Sequence, residues 1–142
     1  MSFNPIERGT SIFNTFAITT PLYYVNASPH IGSAYTTIAA DVLARYYRLQ
    51  GKHVRMITGT DEHGQKVEQS ATQSGQSPLK FATMNSAKFR HLLFRLNCSN
   101  DDFIRTTEER HREGVRALWQ TLQSNGAIYK GAYEGWYSVR DE

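Results

Sequence analysis

The chain has 142 residues, enough to bury one proper core and little more. With 39% apolar and 20% charged residues it reads as a globular domain, and no apolar run approaches the length of a membrane span. A net charge of +3 permits contact with phosphates or RNA, and the single cysteine, Cys98, excludes an intrachain disulfide and any all-cysteine metal site. The leader, Met1 to Asn14, lacks the apolar core of a secretory signal and the composition of a transit peptide. A cytoplasmic setting is therefore expected, with mitochondrion and plastid as the alternatives.

Phe16-Ala17-Ile18-Thr19-Thr20, ended by Pro21, predicts a buried first strand, and Leu22 to Pro29 a loop. From His30 the pattern turns helical. Ile31, Tyr35, Ile38, Val42, Tyr46 and Leu49 share one face, expected to be buried. Asp41 and Arg45 pair on the other face, and Gly51 supplies the stop. His53 to Thr58 predicts a second strand, parallel to the first as in any β-α-β unit.

Gly64 to Ser74 predicts a short polar helix ending at Gly75. Ser77 or Pro78 to Leu96 predicts a longer one that buries Phe89, Leu92, Leu93 and Leu96. Asp101 to Arg105 is a loop or a short extended piece. Thr106 and Glu109 have capping-box spacing, ahead of a helix expected to bury Val115, Leu118, Trp119 and Leu122 and to stop at Asn125-Gly126. The alternating aromatic and polar tail, Ile128 to Val139, predicts a hairpin or sheet.

Chemistry concentrates in two short blocks, Pro29-His30-Ile31-Gly32-Ser33-Ala34-Tyr35 and Thr58-Gly59-Thr60-Asp61-Glu62-His63-Gly64. Each follows a strand and opens a helix, so both fall at the carboxyl edge of an open α/β sheet, where such folds bind ligands. His30 at a helix start can donate hydrogen bonds to phosphate oxygens, and Gly32 lets a ligand approach the backbone. Asp61 or Glu62 can bind an ammonium group or a ribose hydroxyl. The bland uses, a helix-start His and first-turn acids, compete with these roles. A metal site from His30, Asp61 and His63 lacks a supporting spacing.

The run Thr19 to Asn26 followed by Pro29-His30-Ile31-Gly32 resembles the first strand and "HIGH" signature of the methionyl-tRNA synthetases, which are class I aminoacyl-tRNA synthetases. Thr58 to Gly64 resembles that family's T-G-T-D-E-H-G block. Phe103 to His111 and Tyr133 to Tyr137 resemble further family runs. The resemblance implies an α/β fold, the first half of a Rossmann-like catalytic domain over 15–126, after a leader over 1–14. Residues 127–142 would begin a connective insertion. It implies ATP-dependent activation of methionine to methionyl-adenylate and transfer to tRNA, with Mg2+ accompanying ATP and neither membrane nor DNA as partner.

By position, Leu22, Tyr24 and Asp61 would bind methionine, Asp61 through its α-ammonium. His30, Gly32 and Ser33 would bind ATP, with His30 and Ser33 in the catalytic role. Ser33 stands where the signature has its last His. Tyr137-Ser138-Val139-Arg140-Asp141 lacks the two cysteines of the zinc knuckle found in many relatives, so no zinc is expected. The sequence has no Lys-Met-Ser-Lys-Ser loop, which implies an N-terminal fragment unable to catalyse efficiently alone. The alternative is a truncated, non-catalytic paralogue that binds nucleotide, tRNA or protein.

Overall fold

The structure is a computed structural model that describes residues 14–138. Its centre is strand β3 (His53–Asp61), nine residues long. Strand β1 (Thr15–Thr19) pairs with it in parallel from Thr15↔His53 to Thr19↔Ile57. The two-residue β2 (Tyr23–Tyr24) continues along that edge, Tyr23 beside Thr60 and Tyr24 beside Asp61. On the opposite edge β4 (Asp102–Arg105) runs parallel from Ile57↔Asp102 to Thr60↔Arg105. The expected parallel β-α-β unit is present and extends to a third parallel strand.

Between the strands come α1 (Ile31–Leu49), α2 (Gln65–Gln73) and α3 (Pro78–Arg95), and after β4 comes α4 (Glu109–Ser124). Alternation along β3 sends Met56, Thr58 and Thr60 to one face. Met56 packs on Ala40 and Ala44 of α1, and the Thr60 hydroxyl is 2.9 Å from that of Ser86 on α3. A second cluster joins Val25, Val67, Phe89, Leu93 and Phe103, with Tyr23 stacked on Phe89 at 5.3 Å. Gly51 ends α1 with φ +76°, as its place in the sequence predicts.

Several expectations are overturned. The apolar stripe of α1 faces outward: Ile31, Tyr35 and Leu49 are 86%, 75% and 84% exposed, and Ile38, Val42 and Tyr46 are exposed as well. The face that packs carries Ser33, Ala34, Thr37, Ala40, Asp41 and Ala44. Small side chains let the helix lie close to the sheet, which the periodicity of large residues does not report. In α4 no residue is buried; Val115, Leu118, Trp119 and Leu122 all lie exposed, because none of the described elements packs over them.

Thr106 and Glu109 form no capping box. The N-cap is Glu108, and the Thr106 hydroxyl instead accepts the Glu62 backbone N–H at 2.9 Å. Residues 127–138 contain no strand where a hairpin or sheet is expected. The first strand is not fully buried, with Phe16 and Ile18 half-buried and Ala17 and Thr19 exposed, and the expected loop after Pro21 contains β2. Leu92 and Leu96 are half-buried, whereas Phe89 and Leu93 are in the core. The substituted zinc-knuckle positions Val139 to Asp141 lie outside the described residues.

The loop between α3 and β4 owes its shape to α1. Asp41 pairs with Arg45 at 2.6 Å, as the spacing predicts, and also accepts the backbone N–H and hydroxyl of Ser99. Burial acts to raise the Asp41 pKa, but the hydrogen bonds from Ser99 and Arg45 outweigh it and hold the carboxyl below its ordinary value. Arg48 reaches Asp101, whose carboxylate also accepts the Met56 backbone N–H. These bonds set the entry into β4.

Gly59 is fixed by close approach: a Cβ there would lie 1.9 Å from the carbonyl oxygen of Ile104 in β4. Backbone must move to admit it, so Gly59→Ala is expected to lower the unfolding free energy by about 1–3 kcal/mol. Urea denaturation checks this, and an unchanged midpoint would contradict the close packing of β3 on β4.

Candidate active site

His30 is the N-cap of α1, and its ring closes back on the helix. Gly32 N–H donates to His30 Nδ1 at 3.0 Å. With Nδ1 accepting, a neutral ring carries its proton on Nε2, which is left to donate outward. Gly32 is required for this arrangement: a Cβ would sit 2.8 Å from His30 Cε1. The sequence gives Gly32 the task of admitting a ligand; the structure adds that it admits the His30 ring.

Ser33 is buried in the first turn of α1, and its carbonyl accepts from the hydroxyls of Thr37, at 2.9 Å, and Tyr23, at 3.3 Å. The Tyr23 and Thr37 hydroxyls also meet at 2.5 Å. Tyr23 thereby ties β2 to the start of α1. No sequence motif singles it out; a tyrosine within an apparent loop carries no periodic signal.

Parallel pairing puts Tyr24 beside Asp61, so their side chains project to the same face of the sheet, away from Tyr23, Thr60 and Glu62. Tyr24 is 63% exposed and Leu22 half-buried. The Asp61 carboxylate has no hydrogen-bond or ionic partner among the described residues. The structure brings Tyr24 and Asp61 together and links their strand to the His30 helix through Tyr23. It forms no hydrogen bond between His30 and Asp61.

Glu62, one residue on, has the opposite fate. Its side chain is fully buried and accepts from Arg105 Nε at 2.7 Å and Arg105 Nη2 at 2.9 Å. Thr60 at 2.8 Å and Thr107 at 2.5 Å complete the set, and Arg105 also donates to Thr83. Burial acts to raise the Glu62 pKa; the bonds from Arg105, Thr107 and Thr60 more than offset it and hold the carboxyl below its ordinary value. The sequence left Asp61 and Glu62 as rival ligand carboxylates. The structure separates them, one spent on the fold and one free.

A groove lined by Phe16, Arg48, His53 and Asp101 opens at the amino ends of β1 and β3, the wrong edge for ligand binding in an open α/β sheet. The carboxyl edge, by contrast, holds a histidine-capped helix, a free carboxylate and an aromatic neighbour. The parallel sheet with its intervening helices is an α/β domain of the Rossmann-like kind. The sequence model of the tRNA synthetases class I (M) matches residues 16–142, and the chain belongs to that family.

The chain is 60% identical over 129 residues to the methionine–tRNA ligase of Rickettsia bellii (strain RML369-C), covering 91% of this chain and 25% of that protein. It is 52% identical over 140 residues to the mitochondrial methionine–tRNA ligase of Takifugu rubripes, covering 98% and 24%. A Mycobacterium tuberculosis methionyl-tRNA synthetase solved with methionyl-adenylate superposes with a TM-score of 0.85 at 46% identity, over 90% of this chain and 25% of that one. The chain thus spans about a quarter of the length of these relatives.

Proposed function

We propose that the chain provides the methionine- and ATP-binding edge of a methionine–tRNA ligase. The observation that carries this is the Tyr24–Asp61 pairing. It sets an unpartnered carboxylate beside an exposed aromatic ring, a combination suited to an ammonium group that carries a thioether side chain. Asp61 would hold the α-ammonium, and Leu22 and Tyr24 would contact the side chain, with specificity arising chiefly from shape.

The methionine carboxylate then attacks the α-phosphorus of ATP, forming the acyl–phosphate bond as the bond to pyrophosphate breaks. His30, with its Nε2 proton directed outward and the α1 amino terminus beside it, would stabilise charge on the phosphate oxygens. Gly32 and Ser33 would lie alongside ATP. The tRNA 3′ hydroxyl subsequently attacks the acyl carbonyl and releases AMP.

Mg2+ would arrive on the ATP phosphates, since Glu62 is committed to Arg105 and Asp61 to the amino acid. The proposal includes no zinc. We also keep the division into a leader over 1–14, a half-domain over 15–126 and the start of an insertion over 127–142. The cytoplasm remains the proposed compartment; the mitochondrial T. rubripes relative supports the alternative.

Methionine-dependent ATP–pyrophosphate exchange, together with calorimetric binding of a non-hydrolysable methionyl-adenylate analogue, tests the reading. Binding is expected to be competitive with methionine and ATP. Exchange would show that the chain also turns over, while binding without exchange would favour the non-catalytic alternative. Failure of both would overturn the assignment.

A further inference from the structure

We propose that one face of α3 is a docking track for the phosphate backbone of RNA, leading toward His30. That RNA rather than another polyanion is meant rests on the tRNA ligase reading; the electrostatic argument does not. Helix α3 carries Lys80, Lys88, Arg90, His91 and Arg95, and no Asp or Glu over its 18 residues. Composition hides this, because the chain has 16 Lys and Arg against 13 Asp and Glu.

The structure shows where the acids are spent. Asp41 pairs with Arg45, Asp101 with Arg48, Glu62 with Arg105, and Asp102 with Arg110. Glu109 takes Arg112 and Arg116, and Glu108 takes Arg110 and the Arg90 of α3. Among the described residues no carboxylate pairs with Lys80, Lys88, His91 or Arg95, and all four are exposed.

Positions 80, 88, 91 and 95 fall within about 80° of arc at 3.6 residues per turn, so they form one stripe. At 1.5 Å per residue the stripe is about 22 Å long, enough to face several phosphates of one nucleic-acid strand.

The stripe also has a direction. Lys88, His91 and Arg95 line a shallow groove with Leu92 and Pro29, and Lys88 Nζ donates to Ser28 at 3.2 Å. Pro29 precedes His30, so the carboxyl-terminal half of the stripe borders the entry to the candidate active site. The arginines of α4, neutralised by Glu108 and Glu109, offer no comparable surface.

The test is anisotropy of a labelled tRNA transcript titrated with the full 142-residue chain between 50 and 200 mM salt. Three cations on phosphates predict a fall in affinity of roughly 40-fold over that range from this stripe alone. The triple variant Lys80→Gln, Lys88→Gln, Arg95→Gln is expected to flatten the slope of log affinity against log salt by about 2.7. These residues are exposed, so the variant should fold. Arg112→Gln with Arg116→Gln, on α4, should leave the slope unchanged.

Equal slopes for wild type and triple variant would overturn the proposal. So would an equal loss in the α4 control, or binding to anionic phospholipid vesicles without binding to tRNA. Pyrophosphate exchange and binding of the methionyl-adenylate analogue report separately on the ligase reading: RNA binding through α3 with failure of both would sink that reading and leave the track in place.

Discussion

Glu62→Gln is expected to lower the unfolding free energy by about 3–5 kcal/mol, because it removes one partner of a buried ion pair. The Glu62 carboxylate is fully buried, and Arg105 is only 19% exposed. One carboxylate oxygen accepts from Arg105 Nε and Thr60 and the other from Arg105 Nη2 and Thr107, so the amide N–H₂ that replaces either oxygen faces donors. The guanidinium, held between β4 and Thr83 of α3, would remain partly desolvated without its counter-charge.

The pH dependence follows from the same bonds. The folded pKa of Glu62 lies below its unfolded value, so the native state favours the ionised form. Stability from this group is fully present above the unfolded carboxylate range, about 4.3, and is lost as pH falls through the lower folded value. The gap between wild type and Glu62→Gln should therefore be widest near neutrality and close in acid. Urea unfolding at a series of pH values measures it. A gap that widened in acid would contradict the assigned charge state.

What the sequence disclosed was the parallel pairing of β1 with β3 across α1 and the position of two glycine-bearing blocks after strands. Local signals carried both: β-branched runs, Gly51 at the end of α1, and the glycines within the blocks. What it concealed was which side of each helix is covered. In α1 the apolar residues suggested one face, while packing selected the face with Ala40 and Ala44, because close contact with a sheet rewards small size. Thr106 had the spacing of a cap, yet a tertiary partner, the Glu62 backbone, claimed its hydroxyl. Strand β2 was hidden since two residues have no period, and its role is visible only through its register with Asp61. That register also distinguishes Asp61 from Glu62, which adjacency in the chain could not.

Asp61→Asn is expected to weaken methionine binding by about 10- to 150-fold while leaving the fold intact. The lost interaction is a hydrogen-bonded ion pair with the substrate ammonium, worth roughly 1.5–3 kcal/mol. Stability should barely change, since the Asp61 side chain makes no hydrogen bond or ion pair among the described residues. This is the reverse of Glu62, where the fold depends on the carboxylate and the ligand is not expected to touch it. The selective readout is a comparison of L-methionine with 4-(methylthio)butanoate, which keeps the thioether and carboxylate but lacks the amino group. Calorimetry should show that Asp61→Asn loses affinity for methionine and leaves the desamino analogue nearly unaffected. Equal weakening of both would mean that the residue shapes the pocket rather than binding the ammonium. An Asp61→Asn chain that bound methionine as tightly as the wild type would remove Asp61 from the site and leave Tyr24 without the charged neighbour on which the methionine assignment depends.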